Sequence, residues 1–290
     1  MKPAPFEYVA VSTTAEAAKL LRELGDEAKI LAGGQSLIPM LNFRLVQPQY
    51  IIDINPVTEL EYIRVTESAL VVGGRTRIAS VERSSEAQRV VPLLTEAVKF
   101  IGHAPVRHRG TVGGSLAHAD SSSELPTVAV ALDAEIVVRN VDRERAIRGT
   151  EFFKGPFTTA RESDDLLTEV RFPRWPDGSG FAFMEFSRRH GDFAVAGVGA
   201  VLTLAGGRVT RVALALCGVS TAPVRAREAE KLLIGEVPRA AVARAAAEAA
   251  TAGLHPSSDI HGSSTFRRQV AKVYVERAIL RAAERAGVRP

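Results

Sequence analysis

Two glycine-broken segments constrain this chain more than anything else in it: Lys29-Ile30-Leu31-Ala32-Gly33-Gly34-Gln35-Ser36-Leu37 and, much later, Arg109-Gly110-Thr111-Val112-Gly113-Gly114-Ser115-Leu116. Each is an apolar or β-branched run that stops at a glycine pair and resumes through a serine and a leucine. Glycine has no Cβ, so it can take positive φ, turn successive N–H groups toward one point and let a charged oxygen approach the main chain. The hydroxyls of Ser36, Thr111 and Ser115 add donors beside the pairs. Two such loops, contributed by distant parts of the chain, suit a ligand with two linked phosphates. Gly73-Gly74 and Gly206-Gly207 lead instead into Arg75 and Arg208, and these pairs read as hairpin turns.

The chain has 290 residues, 46% of them apolar, enough for a sizeable core and for two domains. No stretch approaches the run of about 20 apolar residues that crosses a bilayer. The start, Met1-Lys2-Pro3-Ala4-Pro5-Phe6-Glu7, has no apolar signal region, so a cytoplasmic protein is expected. Cys217 is the only cysteine, which rules out an internal disulfide and any thiolate cluster held wholly by this chain. It ends the apolar run Val212 to Cys217 and reads as a small buried hydrophobe. The net charge of +4, from 37 basic and 33 acidic residues spread along the chain, is too mild for a nucleic-acid protein. It fits an anionic small ligand or a protein partner.

In chain order, strands are expected at Phe6 to Val11, Lys29 to Ala32 and Tyr50 to Ile54, with a helix from Ala15 to Leu24 capped at Ser12-Thr13-Thr14 and a brief helical piece from Leu37 to Asn42. Strands at Leu60 to Val65 and Ala69 to Val72 follow. Leu93, Leu94, Ala97, Val98 and Ile101 repeat at helical spacing, and Pro92 splits the stretch Arg77 to Ile101 into two helices. A short helix over Leu125 to Leu132 and strands at Glu135 to Arg139 and Glu169 to Phe172 complete the unit. The segment 173–180, rich in proline and glycine, is the plainest linker. Beyond it come strands at Phe181 to Ser187, Ala194 to Leu204 and Arg208 to Leu216, then helices at Val224 to Leu233, Pro238 to Ala252 and Ser264 to Ala286. A sheet backed by helices describes this α+β part.

Three blocks stand in a set order: Ala32-Gly33-Gly34-Gln35-Ser36-Leu37, then Arg107-His108-Arg109-Gly110-Thr111-Val112-Gly113-Gly114-Ser115-Leu116-Ala117-His118-Ala119-Asp120, then Ser187-Arg188-Arg189-His190-Gly191-Asp192-Phe193-Ala194. On these, the chain resembles the FAD-binding medium subunit of the molybdenum hydroxylases, the xanthine dehydrogenase and carbon monoxide dehydrogenase family, over essentially its whole length. The resemblance implies an α+β protein. A PCMH-type FAD-binding fold would occupy residues 1–176, in subdomains 1–55 and 56–176, and a smaller α+β carboxy-terminal domain residues 177–290. It implies non-covalent FAD, with Ile30, Leu31, Ala32, Gly33, Gly34, Gln35, Ser36 and Leu37 and then Thr111, Gly113, Gly114 and Ser115 at the pyrophosphate. Ile101, Val106, His118, Ser123, Glu124 and Leu167 match positions lining the rest of the cofactor. Phe193 falls where a residue, often tyrosine, covers the flavin ring; phenylalanine keeps the apolar face and loses the hydroxyl. Many relatives carry a lysine where this chain has Met184-Glu185.

The resemblance further implies a small iron–sulfur subunit and a large molybdopterin subunit as partners, in a dimer of heterotrimers. This chain would pass electrons from the clusters through FAD to an external acceptor, with no catalytic residue and no metal ligand of its own. Read on sequence alone, Ile101, Val106 and Leu167 fit ordinary core as well. His118 and Asp120 suggest a metal pair but lack a third ligand, so a polar contact to FAD is favoured for His118, and Arg107 and Arg109 suit either phosphate or solvent. The chain has no G-x-S-x-G elbow, Walker loop, HExxH or G-x-G-x-x-G fingerprint, which disfavours a hydrolase or a Rossmann dehydrogenase. A self-sufficient flavin oxidase of the same fold and a non-catalytic diphosphate-binding module remain as alternatives.

Overall fold

The computed structural model describes residues 1–288. The chain opens with β1 (Glu7–Ala10), α1 (Thr14–Leu24), β2 (Ala28–Leu31), α2 (Leu37–Asn42) and β3 (Tyr50–Asp53). The three strands form a parallel sheet in the order β1-β3-β2. α1 starts at a capping box, in which Thr13 accepts from the Glu16 N–H while the Glu16 side chain accepts from the Thr13 N–H, and it buries Ala17, Ala18 and Leu21.

Next come β4 (Ile63–Val65) and β5 (Ala69–Gly73), a helical stretch, then β6 (Glu135–Arg139) and β7 (Glu144–Arg148). The expected strand from Leu60 begins only at Ile63, because Thr58–Leu60 form a 3₁₀ turn. Where two helices were expected there are three, α3 (Ile78–Arg83), α4 (Ser85–Val90) and α5 (Pro92–Ala97). Ser84 caps α4 through the Ala87 N–H, and Pro92, with no N–H to continue α4, starts α5. α6 (Ala104–Arg109), α7 (Val112–His118) and α8 (Glu124–Leu132) follow, and every residue of α8 is buried. After β7 come α9 (Gly149–Phe152), the small pair β8 (Phe153–Gly155) and β9 (Thr158–Thr159), and β10 (Leu166–Pro173). β10 inserts between β5 and β6 to give an antiparallel sheet in the order β4-β5-β10-β6-β7.

β11 (Gly180–Phe186), β12 (Ala196–Ala205), β13 (Arg208–Cys217) and β14 (Val224–Arg225) form the last antiparallel sheet, in that order. The helix expected from Val224 starts instead at Arg227, since Val224 and Arg225 pair with Leu216 and Ala215. α10 (Arg227–Leu233), α11 (Ala240–Thr251) and α12 (Ser264–Arg285) cover one face. This sheet is apolar on both faces. Ala182, Val198, Leu214 and Leu216 pack with the three helices, whereas Phe183, Val201, Ala213 and Ala215 join one core with Leu93, Leu94, Val128 and Ala131 of α5 and α8. Among the described residues no helix is long and apolar enough to cross a membrane.

Candidate cofactor site

The first glycine segment leaves β2 and turns before α2. Gly34 takes φ +73°, the left-handed region that glycine favours. Gly33 is required for a different reason: a Cβ there would lie 2.4 Å from the Arg109 carbonyl oxygen and 2.8 Å from the Gly110 Cα. The first segment therefore rests directly on the start of the second. Among the described residues, the N–H groups of Gly33, Gly34, Gln35 and Ser36 have no hydrogen-bond acceptor. A cluster of free main-chain donors of this kind accepts an anion.

The second segment differs from its expectation. Gly113 and Gly114 lie in the first turn of α7 and not in a positive-φ loop. Their amides are already used: Val112 N donates to Thr76 O at 3.0 Å, Gly113 N to Gly74 O at 2.8 Å, Gly114 N to Thr111 Oγ1 at 3.1 Å and Ser115 N to Thr111 O at 3.1 Å. Here glycine serves close packing. A Cβ on Gly113 would meet Gly74 O at 2.5 Å, and one on Gly114 would meet Thr111 Oγ1 at 2.7 Å. Gly74 in turn donates to Thr168 O and presses on Leu167 O, so Gly73-Gly74 is no hairpin but the seat on which α7 sits. The second segment thus backs the first, and what it can offer a ligand is hydroxyl rather than amide. Ser115 is half-buried and Gly114 exposed.

Asn55 ties the two halves together. Its Nδ2 donates to Ala32 O at 2.9 Å and to Asp53 Oδ1 at 2.6 Å, and its Oδ1 accepts from Arg77 at 2.6 Å. Arg77 also donates to Arg109 O, and Arg75 donates to Asn55 O at 2.7 Å. Burial and the nearby Arg109 and Arg75 charges lower the Arg77 pKa, which fits a cation held in place to brace carbonyls. Sequence reasoning passed over Asn55, Arg77 and Gly74 as site residues, and only the position of Asn55 at the start of the second unit hinted at it. Arg107 is not available to a phosphate: it donates to both oxygens of Glu82, at 2.8 and 3.2 Å, and to the Ile101 and Gly102 carbonyls.

The other expected positions fall on separate elements. Val106 packs against Gly102, and Ile101 and Val106 are half-buried. The loop after β11 docks beside them: the His103 and His190 rings stack at 5.9 Å, and Gly191 (φ +87°) lies so near the His103 ring that a Cβ would be 2.6 Å from it. That loop carries Phe193, a large apolar side chain left 66% exposed. His118 ends α7 with its ring 4.9 Å from that of Phe157, and burial lowers its pKa against the raising effect of Asp120. Ser123 caps α8 with its hydroxyl free of the cap, and Glu124 opens the helix as a buried carboxyl. Burial pushes Glu124 up to about 7, its own N–H opposes this, and the Asp120 charge adds to it. Leu167 is core, 6% exposed, and reaches the site only through its carbonyl against Gly74.

Free amides suit a diphosphate, and an uncovered aromatic side chain at Phe193 is compatible with a flavin dinucleotide. Comparison with known proteins points the same way. Residues 4–175 match the family described as the FAD binding domain in molybdopterin dehydrogenase, and residues 181–282 match the CO dehydrogenase flavoprotein C-terminal domain. The chain is 42% identical to the 6-hydroxypseudooxynicotine dehydrogenase complex subunit alpha of Paenarthrobacter nicotinovorans, over 99% of this chain and 97% of that one. It is 36% identical to the carbon monoxide dehydrogenase medium chain of Hydrogenophaga pseudoflava, over 96% and 97%. Its fold superimposes on a carbon monoxide dehydrogenase structure from Hydrogenophaga pseudoflava with a TM-score of 0.96 at 37% identity, covering 98% of this chain and 99% of that chain. Quinoline 2-oxidoreductase from Pseudomonas putida 86 gives 0.94 at 37% identity, covering 99% and 100%. With both segments of the family present in order and the glycine cradle built as described, the chain belongs to the FAD-binding medium subunits of the molybdenum hydroxylases.

Proposed function

We propose that this chain passes electrons from the iron–sulfur clusters of a small partner subunit to an external acceptor, in a cytoplasmic dimer of heterotrimers completed by a large molybdopterin subunit. Bound FAD supplies the step between one-electron donors and a two-electron acceptor. The residues of this chain hold it. Ile30 to Leu37 receive the diphosphate on the free amides of Gly33 to Ser36, with the Thr111 and Ser115 hydroxyls beside them. Gly113, Gly114 and Leu167 support that cradle from behind. Ile101, Val106, His118, Ser123 and Glu124 line the remainder, and Phe193 shields the ring from water. The domain break lies at residues 176–177.

The observation that carries this reading is the set of unpaired N–H groups packed on Arg109 and Gly110. Cluster chemistry falls to a partner because Cys217, the only cysteine, is fully buried and its thiol is pushed far up by that burial. The relatives are named as a medium chain and as a subunit of a complex, and this chain spans nearly all of each. The test is to purify the chain alone, add FAD, and record the absorbance of the protein after gel filtration. A stoichiometric flavin spectrum is expected, as is co-purification with a cysteine-rich small chain and a molybdopterin chain when all three are expressed. A colourless protein overturns the reading.

A further inference from the structure

β11 is an outer strand of the last sheet: it pairs with β12 on one side and, among the described residues, with no strand on the other. Along such a strand the main-chain groups alternate, one residue facing its neighbour and the next facing out. Two side chains close the first part of the outer edge. Glu96 of α5 accepts from the Phe183 N–H at 3.2 Å, and Arg285 of α12 donates to the Phe181 carbonyl oxygen at 2.7 Å and to Glu96 at 2.5 Å. These contacts show that Phe181 and Phe183 face out, so the alternation turns the N–H and C=O of Glu185 outward as well. Among the described residues these two groups, and the Phe183 carbonyl oxygen, have no hydrogen-bond partner. Native sheets cover or blunt an open edge, and here the closure stops after Phe183.

A cavity of about 580 Å³ borders the part left open, lined by Phe183 and Glu185 of β11, by Phe100, and by Tyr274, Arg277 and Leu280 of α12. Pockets of about 300–1,000 Å³ take a drug-sized ligand, so the space holds a few residues of extended chain. The Phe100 and Phe183 rings, 5.6 Å apart, give it an apolar wall, and Tyr274 adds a third ring with the Arg277 guanidinium carbon 5.7 Å from its centre. Most charges at the rim are already answered. Glu96 is held by Arg285 at 2.5 Å and Glu284 by Arg281 at 2.6 Å. Burial pushes Glu185 up to about 9, with the Glu124 charge adding to it, so this carboxyl is uncharged at neutral pH. The charge that remains is Arg277, an exposed guanidinium with no carboxylate partner among the described residues.

We propose that the open stretch of β11 receives an extended segment of a partner chain as an added strand, with an apolar side chain against Phe100 and Phe183 and an acidic group on Arg277. In this mode main-chain hydrogen bonds hold the segment, and pockets for alternate side chains select it. A strand answers every unused group at once: its C=O accepts from the Glu185 N–H, and its N–H groups donate to the Glu185 and Phe183 carbonyl oxygens. A lone aromatic acid would meet the rings and Arg277 but leave those main-chain groups unpaired.

The test is fluorescence polarisation of the full chain with fluorescein-labelled, capped tetrapeptides that carry valine or phenylalanine at three positions and aspartate at one end. Binding tighter than about 1 mM is expected for members of this set. Arg277→Glu, a change at an exposed side chain with a melting curve as folding control, should weaken binding by at least about 10-fold, and probes ending in lysine should regain it on that variant. Methylating the probe's amide nitrogens one at a time should cost about 5-fold, the worth of one net hydrogen bond, at alternate positions and nothing at the positions between. Losses that ignore this alternation, with naphthoate displacing the probe, would make the cavity a small-molecule pocket and overturn the added strand. Probes that fail to bind the wild type at about 1 mM overturn it outright, and probes that bind Arg277→Glu as tightly as the wild type remove the acidic contact from it.

Discussion

Substituting Gly33 by alanine probes the contact on which the cradle depends. The new Cβ would lie 2.4 Å from the Arg109 carbonyl oxygen, while ordinary contact begins at 3.4 Å, so the loop must retreat by about 1 Å. The obstacle cannot swing aside, since it is main chain. Arg109 O accepts from Arg77, and Gly110 is held by bonds to Val106 O at 2.6 Å and from Ile78 N at 3.0 Å. Overpacking of this kind costs about 1–3 kcal/mol. Taken wholly from binding, at 1.4 kcal/mol per decade, it weakens FAD binding about 10–100-fold. Quenching of FAD fluorescence on titration into the apo chain measures this, with a melting curve as the folding control. Gly34→Ala meets only the side chains of Ile38 and Leu31 but must hold φ +73°, at about 1–2 kcal/mol. Gly155→Ala, with nothing within 4 Å, should change neither quantity. A Gly33→Ala chain with wild-type affinity and melting temperature would refute the argument, because the loop would then have slack to spare.

Asn55→Ala removes the bonds to Ala32 O and Asp53 and takes from Arg77 one of its two acceptors, so a loss of about 2–3 kcal/mol in urea unfolding and weaker FAD binding are expected. Phe193→Ala deletes a side chain that is 66% exposed, so stability should hold within about 0.5 kcal/mol while the bound flavin becomes more accessible to iodide quenching. For Glu124 the folded carboxyl sits at about 7, above its unfolded value, so the native state binds the proton more tightly. Its stabilising share is complete below about pH 4 and disappears as the pH rises to about 7. Wild type should accordingly lose on the order of 3 kcal/mol relative to Glu124→Gln across that window in urea titrations, and parallel pH profiles for the two proteins would contradict this.

The main elements and the turn of the first glycine segment were legible because each rests on local rules. Thr13 and Glu16 announce their cap, Pro92 a helix start, and Gly206-Gly207 a hairpin whose φ values are +57° and +77°. What was not legible depends on contacts between distant residues. Gly113-Gly114 looks like Gly33-Gly34 in one dimension, yet it lies in a helix capped by Thr111, and Gly113 is glycine because Gly74, far away in sequence, approaches too closely for any side chain. Gly73-Gly74 was read as a turn for the converse reason: nothing nearby reveals that Gly113 will donate to it. The roles of Asn55 and Arg77 are equally non-local, each joining segments that only the fold brings together.

The sheet of β11 to β14 has no solvent-facing side, since Phe183, Val201, Ala213 and Ala215 complete one core while Ala182, Val198, Leu214 and Leu216 complete another. Cleavage in the connecting stretch after Trp175 would split only the core shared with α5 and α8 and bare its apolar halves, one on each fragment, so the halves should aggregate when produced separately. For the intact chain the same arrangement joins the residues before and after Trp175 through one shared core, so neither part should swing against the other.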